Sequence, residues 1–71
     1  MTMQQFSLRE LRARKGVTQQ EVATAIGISL PTYGSWEKDL SVAPVGKVVS
    51  LAEYFGVTVG EIKLSAGESK L

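Results

Sequence analysis

The stretch from Thr18 to Glu37, Thr-Gln-Gln-Glu-Val-Ala-Thr-Ala-Ile-Gly-Ile-Ser-Leu-Pro-Thr-Tyr-Gly-Ser-Trp-Glu, decides the fold. It reads as two short helices locked around a tight turn, because each position answers a different packing need. Counting from Gln19, a small residue follows at Ala23, a glycine at Gly27, and large apolar residues at Tyr33 and Trp36. Ala23 lies mid-helix, where two steeply crossing helices leave no room for a longer side chain. Gly27 falls just past Ile26, the last apolar residue of the first helix, where the chain must turn left-handed and glycine does so without penalty. Ser29 then supplies an N-cap oxygen, and Pro31 sits in the first turn of the next helix, where its missing N–H does no harm. Tyr33 and Trp36, three residues apart, share a face that should point into the body of the protein. The opposite face carries Leu30, Pro31, Gly34 and Ser35, with Thr32 towards its edge.

Working outward, further helices announce themselves by their caps. Ser7 with Glu10, Thr18 with Glu21, and Thr58 with Glu61 each match the capping box, in which a hydroxyl and a carboxylate satisfy backbone donors reciprocally. Each such cap stabilises by roughly 1 kcal/mol. Leu8 and Leu11 form the apolar stripe of a first helix that Gly16 ends, and Val22, Ala23 and Ile26 form the inner face of the second. The third runs from about Leu30 to Lys38; Gly34 weakens it by about 1 kcal/mol relative to alanine, so its helicity should depend on docking Tyr33 and Trp36. After a loop through Leu40, Ser41 and Val42, Pro44 opens a fourth helix in which Val45, Val48, Val49, Ala52 and Phe55 recur at helical spacing before Gly56. A short fifth helix is expected after Thr58, burying Val59 and Ile62. The fold class is therefore all-α, five helices in one domain over residues 6–64, with patternless tails at 1–5 and 65–71.

The 71 residues suit one domain near the size at which a single core is only marginally sufficient. The absence of cysteine excludes disulfides and thiolate metal sites, and the absence of histidine removes the commonest acid/base and metal side chain. Glu10 and Glu21 are accounted for as capping residues, and no nucleophile and base are arranged together, so an enzyme is not expected. Nor is a cofactor, a metal or a small-molecule ligand. No apolar run approaches a membrane span and the amino end lacks a signal-peptide pattern, which leads to the expectation of a cytoplasmic protein. The formal net charge is only +1, but it is unevenly spread. Arg9, Arg12, Arg14 and Lys15 stand against Glu10 alone, while Val17 to Trp36 hold only Glu21. Basic residues late in a first helix also complement its own dipole, an alternative that stays open.

Two helices around a glycine turn with one face free form the layout of a helix-turn-helix DNA reader. Beyond that layout, the chain resembles the five-helix DNA-binding domains of the lambda-repressor-like family, the Cro, phage-repressor or Xre-type proteins, from about Phe6 to Ile62. The resemblance rests on Leu-Arg-Glu-Leu-Arg at 8–12, Lys-Gly-Val-Thr-Gln-Gln-Glu-Val-Ala at 15–23, Ile-Gly-Ile-Ser at 26–29, Trp-Glu at 36–37 and Leu-Ala-Glu-Tyr-Phe-Gly-Val-Thr-Val-Gly-Glu-Ile at 51–62. It implies that Gln19 fixes the second helix on a phosphate while bracing the recognition helix. It also implies that Arg12 pairs with Glu37, joining the first helix to the end of the third and aiming Arg12 at the DNA backbone. Thr18, Lys38 and Lys47 complete the expected backbone contacts. Leu30, Pro31, Thr32 and Ser35 occupy the base-facing positions.

Here the sequence departs from the family's pattern. Those positions often hold glutamine, asparagine, serine or arginine, whereas Leu30, Pro31 and Thr32 offer no bidentate contact to guanine or adenine. Packing on thymine methyl groups is expected instead, with Ser35 bonding to a base edge or a phosphate and DNA shape adding to a modest specificity. The predicted activity is that of a phage- or prophage-type transcriptional repressor, acting as a homodimer on a pseudo-palindromic operator in double-stranded DNA. Val57, Val59, Ile62 and Leu64 are the expected dimer contacts, because the segment from Phe55 to Leu64 carries more apolar side chains than its own core should need. The low charge and apolar third helix keep a second class open: a protein-interaction module, such as an antitoxin holding its partner, with weak DNA binding.

Overall fold

A computed structural model of the chain describes residues 5–64, and every element in it starts and stops where the local chemistry dictates. Four α-helices follow in order: α1 (Leu8–Lys15), α2 (Gln19–Ile26), α3 (Leu30–Lys38) and α4 (Val45–Phe55). The Ser7 hydroxyl accepts from the Glu10 amide at 3.1 Å while the Glu10 carboxylate accepts from the Ser7 amide at 2.8 Å. That bond to the Ser7 backbone is the main influence holding the Glu10 carboxyl below its ordinary value. Thr18 and Glu21 repeat the arrangement at the start of α2. Gly27, at φ +83°, ends α2 in the left-handed region, and its amide returns to the carbonyls of Ala23 and Thr24. Ser29 caps α3 by accepting from the Thr32 amide, with Pro31 in the first turn.

The helices enclose one core. Leu8 and Leu11 of α1, Val22, Ala23 and Ile26 of α2, Tyr33 and Trp36 of α3, and Val48, Leu51 and Ala52 of α4 are all buried, together with Leu40 and Ile62. Leu40 begins a 3-10 turn, Leu40–Val42, that links α3 to α4; Leu40 itself points into the core while Ser41 and Val42 stay exposed.

The segment after α4 differs from the expected fifth helix. It is a single 3-10 turn, Val59–Glu61, with Val59 exposed and Ile62 only 1% exposed. The capping box expected at Thr58 and Glu61 is present, with the Glu61 carboxylate accepting from the Thr58 amide at 2.9 Å and from the Thr58 hydroxyl at 3.2 Å. The reason the helix stops is visible in the next residues. Ile62 leaves the turn extended and forms a parallel bridge with Phe6. The Phe6 amide donates to the Glu61 carbonyl and the Lys63 amide to the Phe6 carbonyl, both at 2.8 Å, and continuing the helix would forfeit both bonds. Of the expected tails, residues 1–4 and 65–71 lie outside the described residues; Gln5 donates from its side chain to the Gly60 carbonyl at 3.3 Å.

Candidate nucleic-acid interface

Glu37 organises the interior side of α3. It lies in the last turn of the helix, between Trp36 and Lys38, and is 7% exposed, the one buried charged side chain among the described residues. Arg12 Nε donates to Glu37 Oε2 at 2.7 Å, and Arg12 Nη2 reaches Oε1 at 3.5 Å. Gln19 Nε2 donates to the same Oε1 at 2.8 Å. Arg12 Nη1 also reaches the Val17 carbonyl at 3.5 Å, so the guanidinium spans α1, the α1–α2 loop and α3. Burial alone would raise the Glu37 carboxyl, but hydrogen bonds from Arg12 and Gln19 outweigh it and hold the group below the ordinary carboxylate value. The bond to Glu37 likewise keeps Arg12 firmly charged. Removing either charge would leave the other unpartnered beside the core, which is the costly way to break such a pair.

Tyr33 is fully buried, and its hydroxyl is the one buried side-chain polar atom among the described residues with no hydrogen-bond partner. Burial, with the nearby Glu37 carboxylate second, pushes its ionisation far above the ordinary phenol range, so it remains a neutral hydroxyl. Ala23 is fully buried where α2 crosses α3, and Gly27 makes the turn between them.

The outer side of α3 is open. Leu30, Pro31, Thr32 and Ser35 are exposed, and Gly34 is half-exposed with nothing within 4 Å of where a Cβ would stand. Two of the polar groups on this face are engaged locally: the Ser35 hydroxyl donates to the Thr32 carbonyl at 2.7 Å, and the Ser29 and Thr32 hydroxyls lie 2.9 Å apart. A carbonyl cannot donate, so Ser35 presents only lone pairs outward as it stands. Thr18 and Lys38 are exposed on the flanks, and Gln19 is half-buried because of its bond to Glu37.

Several expected residues sit elsewhere than the sequence implied. Lys47 is half-buried, its ammonium donating to the Ile26 carbonyl at 3.0 Å, and is not extended as a free cation. Of the basic cluster in α1, Arg14 stacks over the Phe6 ring at 4.3 Å and Lys15 over the Tyr54 ring at 4.9 Å. Both therefore clip α1 to neighbouring segments. Ile62 cannot serve a dimer surface, because its side chain is sealed in its own core by the bridge to Phe6; Val57 is half-buried against that core. Val59 and Leu64 remain exposed and line an apolar groove of about 200 Å³ with Leu40, Ser41, Ala43, Val45 and Val48. Val42 and Val45, which the sequence did not single out for this purpose, are the most exposed large apolar side chains among the described residues, at 68% and 78%. A clue lay in Val45, which opens α4 one residue after Pro44, before the helix has turned its apolar stripe inward.

Among the described residues, no group of His, Cys, Asp or Glu side chains is arranged to hold a metal, and no helix is long and apolar enough to cross a membrane.

A recognition helix braced from inside, open outside, and joined to its partner by a left-handed glycine defines the helix-turn-helix class. The helix-turn-helix family model matches residues 8–62, and the chain belongs to that family in its lambda-repressor-like, Xre-type form, a family of regulators and not of enzymes. It is similar to the cryptic phage CTXphi transcriptional repressor RstR of Vibrio cholerae, 34% identical over 55 residues that cover 78% of this chain and 50% of that protein. It is 38% identical over 61 residues to the propionyl-CoA carboxylase regulator of Cereibacter sphaeroides, covering 86% of this chain and 13% of the relative. It is also 36% identical over 55 residues to the uncharacterized HTH-type transcriptional regulator YobD of Bacillus subtilis, covering 78% and 49% respectively. The chain thus spans half or less of the length of each of these relatives. No solved structure matches it.

Proposed function

We propose that the chain is a sequence-specific, double-stranded DNA-binding transcriptional repressor of the phage type, working in the cytoplasm. The observation that carries this reading is the two-sidedness of α3. Arg12, Glu37 and Gln19 fix the helix from within, while Leu30, Pro31, Thr32 and Ser35 stand free at its start. The N-terminal residues of a helix in this motif are the ones that meet base edges in the major groove. Leu30, Pro31 and the Thr32 methyl pack on thymine methyl groups, and Ser35 accepts from an amino edge or, when its hydroxyl leaves the Thr32 carbonyl, donates to a phosphate. Thr18, Gln19, Arg12 and Lys38 hold the backbone on either side. The names of the relatives in Vibrio cholerae and Bacillus subtilis, a transcriptional repressor and a transcriptional regulator, support the same direction.

A domain this small secures specificity by pairing, with two α3 helices roughly 34 Å apart in successive major grooves. The second copy docks through the apolar groove bounded by Val45, Val59 and Leu64, with Val42 at hand to fill its partner's groove. Occupancy of a pseudo-palindromic operator then excludes the polymerase. A protein-interaction role remains the competing reading, favoured by an outer α3 face that carries no charged residue until Lys38.

Selection from a randomised duplex library at two salt concentrations, with Gln19→Ala and Ser35→Ala in parallel, tests the proposal. The expected result is a two-fold-symmetric, thymine-leaning motif that is lost in the variants. Its affinity should fall by about 0.9 log units per phosphate contact per decade of salt. A strict G-rich element would overturn the base-reading scheme. Absence of any enrichment at low salt would hand the case to the interaction module.

A further inference from the structure

Lys47 belongs to α4, yet its ammonium leaves that helix and donates to the Ile26 carbonyl, the last of α2. The Ala23 and Thr24 carbonyls earlier in that turn are served locally: the Gly27 amide returns to Ala23 and Thr24, and the Ile28 amide to Ala23. Ile26 is served from across the core. No basic residue lies in the last turn of α2, so Lys47 supplies from another helix the positive charge that a helix C-terminus favours. The ammonium also overlies the turn itself, standing 4.0 Å from where a Cβ on Gly27 would be. The single ion pair among the described residues is Arg12–Glu37, so no carboxylate draws Lys47 away.

We infer that Lys47 is a positioning residue for the recognition helix, an ammonium strut from α4 that pins the end of α2 and so fixes the angle at which the Gly27–Ser29 turn launches α3. The inference rests on the DNA-binding reading for its consequence, and on geometry alone for the strut. It gives Lys47 a different signature from a phosphate contact. Loss of a strut weakens binding to every sequence alike without releasing fewer counterions, whereas loss of a phosphate contact makes the salt dependence shallower by about 0.9 in slope.

The experiment compares the wild-type chain with Lys47→Met, which keeps the apolar stem, and Lys47→Arg, which keeps the charge. Two quantities are read: amide exchange at Gly27, Ile28 and Ser29, and affinity across a salt series for a duplex enriched from a random pool by the wild-type chain. Lys47→Met should speed exchange at the turn and weaken binding by about tenfold, the scale of a charge-assisted hydrogen bond, with an unchanged salt slope. Lys47→Arg should recover most of both. Unchanged exchange in Lys47→Met overturns the strut, and a shallower salt slope overturns the positioning role in favour of a phosphate contact. If the wild-type chain enriches no duplex, the DNA-binding reading fails by itself, and the exchange measurement still decides whether Lys47 pins the turn.

Discussion

The two sides of α3 obey opposite rules. On the inner side, Tyr33, Trp36 and Glu37 are all buried, and Glu37 alone gathers bonds from α1 and α2. On the outer side, Leu30, Pro31, Thr32 and Ser35 touch little beyond their own helix. A short helix with a glycine near its middle has little stability of its own. Its conformation is therefore imposed from the inside, and the outer residues are free to be chosen for what they meet and not for what they support. That separation lets one scaffold carry different outer faces without refolding.

The comparison is most easily broken at Trp36. Trp36→Ala removes the largest inner anchor and should cost about 3–5 kcal/mol, enough to unfold much of a domain this small, as read by thermal denaturation. A loss below about 1 kcal/mol would mean that α3 does not depend on its inner face. Glu37→Gln comes next, at about 2 kcal/mol, because Arg12 keeps its charge and loses its partner, although partial exposure of the guanidinium tempers the cost. The same carboxylate gives a pH signature. Its folded pKa is depressed, so its contribution is fully present above the unfolded value of about 4.3 and is lost as pH falls through the folded value. Denaturant titrations down an acid series should show that loss in the wild-type chain and a smaller one in Glu37→Gln.

The outer face sharpens the contrast with small effects of either sign. Gly34 has open space around it and lies in the middle of α3, so Gly34→Ala should raise stability by about 0.5–1 kcal/mol. A simultaneous loss of DNA affinity would show that the duplex approaches the helix closely at that position. Leu30→Ala should change stability by no more than about 0.5 kcal/mol. Its effect belongs in the selected motif, where one thymine preference should relax; an unaltered motif would remove Leu30 from the reading face.

What could be read from the sequence divides along the same physical line. Caps are local, so Ser7 with Glu10 and Thr18 with Glu21 announced the starts of α1 and α2, and Gly27 the turn. Helical spacing likewise exposed the buried residues of α1, α2 and α3. Arg12 with Glu37 lies 25 positions apart and came from the family resemblance, since nothing in composition ties them. The sequence offers Lys47 as a phosphate contact; its bond to the Ile26 carbonyl is not legible there, because a backbone acceptor carries no residue signature. The burial of Ile62 is legible from helical patterning, but its place in the dimer contact set is not correct, because the bridge that seals it involves Phe6, at the far end of the domain. For the same reason Thr58 with Glu61 suggested a helix where only one turn forms: the cap is local, but the competing strand-like pairing is not.

That pairing carries a kinetic consequence. The α2–α3 unit closes over short stretches of chain, whereas the clasp between Phe6 and Ile62 must close a loop through nearly the whole domain. Loop closure costs more entropy the longer the loop, and a single bridge returns few hydrogen bonds for it. The helices should therefore assemble first and the clasp last. In reverse, the clasp is where the native state should open most readily, uncovering Ile62 and the lower end of the core well before the turn that aims α3 comes apart.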